Sequence, residues 1–511
     1  MSETHNKVDI ELIEGETSPP AEIYPDATSG GAIVNTGFQA PRPKPKSEHE
    51  KRLVLKLDLV VLGLCCLMYF VAYLDRNVLG NARLMGIEKD LHLTANQFYN
   101  CLTMFFVGYI IFMLPGNILL RQFKPPYVFG ASVFSFGVFC VAMADAQHYA
   151  TILVLRIFIG TAQAFIQGSS VYFAWFYIRT ELATRNAIIF SFATLAGAFS
   201  GLISYAVNNR LTVAKTGLEP WRWLFIIEGS IAMFVGLLTV VLLPSFADQM
   251  KHGKNWLFNE SDVRLLIERA KRNNTMGAKV ELRQIWVALL DPKSYVFALV
   301  QAAVGLGVSS VGNFLPTLVA DFGYSNDQAQ LFTAIPYVCA AVTTVGMSYI
   351  SDRLNRKGAV LIFTLGITSI GYIILLSVNN VPVKVFATCL LTMGLYPSAT
   401  INAAWAGINI GGFTKRGSTW ALAEIFAQVF SIMGTHVYDS PPRFIKGHAI
   451  CLGFCLNAIL CILLGMWWMN RANKMKDQER GEFQARQEPH PHDEKTLEDV
   501  FDYHVAFRYT L

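Results

Sequence analysis

The strongest constraint on this chain is repetition. Apolar windows recur along it, each close to the ~20 residues a helix needs to span ~30 Å of hydrocarbon. They fall at 54–74, 96–115, 126–144, 149–177, 185–207, 223–243, 294–319, 328–350, 358–378, 382–408, 417–438 and 447–470. One long polar interval, 245–292, divides them six and six. Inside lipid every backbone N–H and C=O must be satisfied by the chain itself, so windows of this length form helices. The spacing predicts an all-α membrane protein with twelve transmembrane helices in two six-helix bundles. The expected organisation is a disordered tail (1–50), a first bundle (51–244), a linker (245–292), a second bundle (293–472) and a second tail (473–511).

Composition agrees. Charged residues make up 15% of the chain, against about 25% in ordinary soluble domains. The net charge of +5 is scattered between apolar blocks and forms no single basic face, so nucleic-acid binding is not expected. The nine cysteines lie in or beside apolar segments without paired CxxC spacing, and read as small core fillers. No P-loop, HExxH, G-x-S-x-G elbow or His/Asp cluster occurs, so neither enzyme, metal nor cofactor chemistry is expected. His490 and His492, flanking Pro491 in the polar tail, read as solvated residues. No secretory signal precedes the first apolar window, which therefore acts as its own insertion signal.

Orientation rests on the flanks, because the short loops on the two sides carry equal numbers of Lys and Arg. Lys44, Lys46, Lys51, Arg52 and Lys56 precede the first window, Arg471, Lys474 and Lys476 follow the last, and the linker adds more. The positive-inside rule then puts both termini and the linker in the cytoplasm. The sequons at Asn259 and Asn273 both lie in that linker and should be unmodified there. Within the linker, Val263, Leu266, Ile267 and Ala270 follow Asn259–Asp262 at helical spacing. This predicts a short amphipathic helix on the cytoplasmic face.

Charged residues inside membrane windows are the candidate functional groups, because burying them in lipid costs several kcal/mol unless they face a cavity or a partner. Arg156 comes first. Gly160, Ala164 and Gly168 follow it at four-residue steps, and Gln163 and Gln167 border that stripe. An Arg above a small, amide-edged groove is a seat for a carboxylate, and Asn313 in the seventh window joins this candidate binding set. An Arg that snorkels outward or pairs with a structural acid is the other reading of Arg156. Glu424 lies inside the eleventh window, with Gln428 one turn on. It either exchanges a proton during transport or is satisfied by a neighbouring helix. Glu228 reads as a partner for Arg222 or for a helix N-terminus, and Asp58 as a structural or snorkelling acid. Asp75 and Arg76 fall at the end of the first window, near an interface, with no role assigned. Ala193, Gly197 and Gly201 mark a close helix contact.

The halves echo each other. Between windows 8 and 9 stands Asp352-Arg353-Leu-Asn-Arg356, a charged turn of the kind found in the major facilitator superfamily. Asp352, Arg353 and Arg356 form a candidate conformational latch. The matching loop of the first half keeps Arg121 and Lys124 but has Leu120 in the acid's place.

Finer motifs narrow the resemblance. They are Tyr73-Leu-Asp75-Arg76-Asn77, Arg156-Ile-Phe-Ile-Gly160, Trp221-Arg222-Trp223 with Glu228-Gly229, Phe314-Leu315-Pro316-Thr317, Gly323-Tyr324-Ser325 and Ser440-Pro441-Pro442-Arg443. Over about 55–470 the chain resembles the allantoate permease or anion:cation symporter family. The resemblance implies alternating-access, proton-coupled uptake of organic anions and vitamins such as allantoate, nicotinate, pantothenate and biotin. It implies a lipid-embedded monomer, in the plasma membrane, whose partners are protons and a small carboxylate. This chain departs from the family in having Gln163 where an acid is common and Glu424 where a neutral residue is common. Export of a fungal secondary metabolite and ligand sensing without flux are the competing readings.

Overall fold

The computed structural model describes residues 47–246, 249–250, 256–272, 281–440, 443–488, 490–492 and 500–511. The expectations for the tail up to residue 46 and for the sequon at Asn273 lie outside them. Twelve helical segments among the described residues run to 19 residues or more. In the first half they are α1 Glu48–Leu84, α2 Ala95–Gln122, α3 Pro125–Met143, α4 Tyr149–Gly168, α5 Arg179–Arg210 and α6 Pro220–Leu242. In the second half they are α7 Pro292–Asp321, α8 Asn326–Leu354, α9 Lys357–Ser377, α10 Val381–Asn409, α11 Phe413–Gly434 and α12 Ile445–Ala485. Ten are long and apolar enough to cross a membrane. The other two are α2, of 28 residues, and α11, of 22. Lys415, Arg416, Glu424 and Gln428 make α11 the more polar of the pair.

Local signals place the helix starts. Thr94 and Gln97 form a capping box at α2, and Ser325 and Gln328 form the same box at α8. Pro125, Pro220 and Pro292 open α3, α6 and α7, where a missing N–H costs nothing. The helix pairs repeat under a shift of six: α3 packs on α6 as α9 does on α12, α1 on α5 as α7 on α11, and α2 on α4 as α8 on α10. Across the halves α5 meets α8, α2 meets α11, and α1 meets α7.

Glycines set the close approaches. A Cβ on Gly160 would lie 2.0 Å from the Phe105 carbonyl oxygen, and one on Gly108 2.2 Å from that of Ile157. The small stripe after Arg156 therefore begins as packing surface for α2, a correction to its reading as a binding groove. Gly197 and Gly201 abut Tyr337 and Gln330 of α8, so the α5 contact stripe lies between the halves.

Three further expectations change. α1 does not end near residue 74 but continues to Leu84, so Asp75 and Arg76 lie well inside a helix. Nothing after Arg76 breaks the helix before Gly86, whose φ of +95° only glycine adopts easily. The last helix also outruns its apolar window, extending to Ala485, and 500–511 fold back against the bundle. His490 is 5% exposed and its ring meets Phe483 and His492, so it is not a solvated tail residue.

The described residues of the linker hold two α-helices. Glu260–Arg272 is the expected amphipathic one, burying Val263, Leu266 and Ala270. Leu282–Leu290 was not anticipated, and its Gln284 accepts from the N–H groups of Thr414 and Lys415 at the start of α11.

Candidate binding cavity

A cavity of about 120 Å³ lies between the halves, walled by α1, α2, α4 and α5 on one side and α7, α10 and α11 on the other. Arg156, Gln163, Gln167, Asn313 and Glu424 all line it, together with Arg76. The five candidates, from three separate windows, thus share one space.

Their partners distinguish them. Arg156 is 2% exposed and lies 3.6 Å from the Asp75 carboxylate, with its Nε and Nη2 lacking hydrogen-bond partners. This is the structural-acid pairing left open above. Gln163 donates through Nε2 to the same Asp75 oxygen at 2.9 Å and accepts from Arg76 Nε at 3.2 Å. The four side chains form one chain, Arg156–Asp75–Gln163–Arg76, along the cavity wall. Arg76 ends it with its guanidinium packed on the rings of Tyr73, Phe105 and Tyr109, at 4.7, 5.2 and 5.0 Å. Such packing holds an Arg in place without neutralising it. Arg76 was missed as a binding candidate because the hydropathy drop at Asp75-Arg76 looks the same whether a helix ends or faces a cavity.

The remaining candidates occupy both walls. Gln167 accepts from the Tyr109 hydroxyl at 2.9 Å. Asn313 donates to the Ser309 carbonyl one turn back. Glu424 accepts from Gln301 at 3.2 Å, and Gln301 in turn accepts from Asn402 at 3.0 Å. Glu228 is neither of the things expected of it. Arg222 pairs instead with Asp90 at 3.0 Å, and Glu228 accepts from Ser200 at 3.2 Å with its other oxygen unpartnered. Asp58 pairs with Arg185, as a structural acid would.

The latch candidates lie elsewhere. Asp352 pairs with Lys357 across the α8–α9 turn at 2.5 Å, Arg353 stacks on Tyr349 of its own helix, and Arg356 immediately precedes α9. Direct hydrogen bonds between the halves gather mainly at the end away from the linker. Thr103 and Thr435 lie at 2.8 Å, Tyr99 donates to the Tyr438 carbonyl at 3.2 Å, and Asn326 donates to that of Leu84 at 3.0 Å.

Two repeat-related helical bundles around a shared cavity that carries charged and amide side chains define a membrane carrier. The Major Facilitator Superfamily model matches residues 65–435 and 297–507, and the chain belongs to that superfamily. It is a multi-pass membrane transporter and not an enzyme. It is 29% identical to the high-affinity nicotinic acid transporter of Saccharomyces cerevisiae, over 91% of this chain and 86% of that one. It is 30% identical to the MFS-type transporter cnsO of Penicillium expansum, over 90% and 93% of the two chains. Among solved structures, a bacterial homologue of the human lysosomal transporter Spinster shares the fold. The TM-score is 0.60 at 13% identity, with 80% of this chain and 96% of that one covered.

Proposed function

We propose that this protein takes up a small organic carboxylate with protons, by alternating access of two six-helix bundles, at the plasma membrane. On this reading all twelve helices cross the bilayer, with linker and termini in the cytoplasm. The placement of Arg76 carries the reading: a cation held by aromatic faces rather than by an acid, at the wall of a midplane cavity. A substrate carboxylate pairs with it, while Gln163, Gln167 and Asn313 offer hydrogen bonds around it. Arg156 lines the same cavity but is occupied by Asp75.

Charge bookkeeping supports proton coupling. Two arginines, Arg76 and Arg156, share the interior with Asp75, Glu228 and Glu424. An incoming carboxylate adds a fourth negative group against two cations. Unpaired buried charge is costly, so acids take up protons as the anion enters. Glu424, on the opposite wall from Arg76, is the group assigned to that exchange. The nicotinate, pantothenate, biotin and allantoate class is the substrate set, and the relatedness to a nicotinic acid transporter favours nicotinate as the first compound to try. Uptake of labelled small carboxylates into cells expressing the chain, at two external pH values, tests this. Accumulation that rises with acidity is expected. No carboxylate taken up at either pH would sink the reading.

A further inference from the structure

Beneath each bundle the chain returns after the sixth helix and grips the starts of the first and fifth. In the first half the returning segment is the helix Glu260–Arg272. Its Arg269 is fully buried. One nitrogen donates to Glu50, in the first turn of α1, and another to Glu181, in the first turn of α5. In the second half the returning segment is 500–511, and its Asp502 is fully buried. One oxygen accepts from Lys293 at the start of α7, and the other from Lys415 in the first turn of α11 at 2.6 Å. Under the six-helix shift α1 corresponds to α7 and α5 to α11. The arrangement repeats with its sign inverted: a cation on two acids in one half, an acid on two cations in the other.

The second grip is as built-in as the first. Lys293 and Lys415 are no more than 1% exposed, and Asp291 faces both, at 3.2 and 2.7 Å. Without Asp502 two buried lysines would share one acid, which is unfavourable. The α10–α11 turn is shaped for the segment: a Cβ on Gly411 would lie 2.4 Å from the Asp502 amide nitrogen. Further along, the Thr510 carbonyl accepts from Trp405 at 2.9 Å and from Asn409 at 3.0 Å, and its N–H donates back to Asn409 at 2.7 Å.

We propose that Arg269 and Asp502 are the keys of two repeat-related clamps, and that 500–511 is the second bundle's counterpart of the linker helix. Each clamp ties a cavity helix to a helix that meets the other half. α1 carries Arg76 and α5 meets α8; α7 carries Asn313, while α11 both carries Glu424 and meets α2. Tied in this way, each bundle rocks as one body. Arg269 and Asp502 act as positioning residues and touch no substrate.

The clamp is tested on the full purified chain by hydrogen exchange, which needs no substrate, and by uptake, which rests on the transport reading. Asp502→Ala should speed exchange by about a few hundredfold or more, the scale of a lost buried ion pair. The effect should appear at the starts of α7 and α11 and leave α1 and α5 unchanged. Arg269→Ala should do the reverse. Asp502→Asn keeps the shape and guards against loss of fold, with the same local pattern at smaller size. Inverting the first clamp, Arg269→Glu with Glu50→Lys and Glu181→Lys, should restore slow exchange. Uptake should lose rate while KM stays within about twofold, because the cavity is untouched. Unchanged exchange in both alanine variants, or exchange raised equally in both bundles, overturns the clamps whatever uptake does. The predicted exchange pattern in a parent chain that moves no carboxylate would leave the clamps standing and remove the transport reading.

Discussion

At the scale of single residues, the cavity divides labour between two arginines that a hydropathy trace cannot tell apart. Arg156 is buried against Asp75, so Arg156→Ala should cost fold as well as flux, by about 3–5 kcal/mol for one partner of a buried pair. Arg76→Ala breaks no direct ion pair among the described residues and should abolish anion uptake while the protein still reaches the membrane. Wild-type uptake by Arg76→Ala, measured beside surface quantity, would end its role as the anion seat. Glu424→Gln should remove pH-driven accumulation while substrate exchange persists, and unchanged pH dependence would refute the proton role. A further titration sits outside the membrane. Burial pushes the Asp291 carboxyl up, but Lys293 and Lys415 outweigh it and hold it below the usual carboxylate range. Its stabilising contribution is therefore complete above the ordinary carboxylate value. It is lost as pH falls through the lower folded value. Thermal melts of wild type and Asp291→Asn should converge as the pH drops into that window.

Helices were read from the sequence better than their ends. Each of the twelve observed segments falls on one of the twelve apolar windows, and ten of them are long and apolar enough to cross a membrane, because lipid-facing surface leaves a strong compositional trace. The ends failed where polar residues face protein. Asp75, Asn77 and Asn81 are buried within α1 but look like a helix terminus in a window average. The docked segment 500–511 was illegible for a similar reason: Asp502 is recognisable as a core residue only once Lys293 and Lys415 are beside it. The candidate site fared better. An ionisable or amide residue in an apolar window is a local signal, and two ionisable and three amide candidates met in one cavity. What sequence could not supply was which arginine has a partner. Helix crossings give a sharper test. Gly160→Leu should drive α2 and α4 apart at Phe105 and lower the melting temperature, at a cost of about 1–3 kcal/mol or more. Gly63→Ala, with open space around it, should not. Equal melting temperatures for the two variants would contradict the packing described.

For the molecule as a whole, the two halves touch through few directed bonds. Thr103 and Thr435 lie at 2.8 Å, so Thr103→Cys with Thr435→Cys under oxidation should hold that end shut and stop flux, with reductant restoring it. Flux unaffected by a formed cross-link would mean that this end does not open.

The closure at that end is made largely of hydroxyls, amides and carbonyls, with one carboxylate, Asp327, accepting from the Asn208 amide at 2.5 Å, while the ion pairs among the described residues stay inside each half. Each such neutral bond is worth about 0.5–1.5 kcal/mol. The whole seam therefore holds a few kcal/mol, a quantity that one substrate's differential binding can reverse. Neutral bonds are also nearly blind to screening. The balance between the two gate states should then stay almost constant from fresh water to concentrated brine, while the encounter of an anion with Arg76 should not.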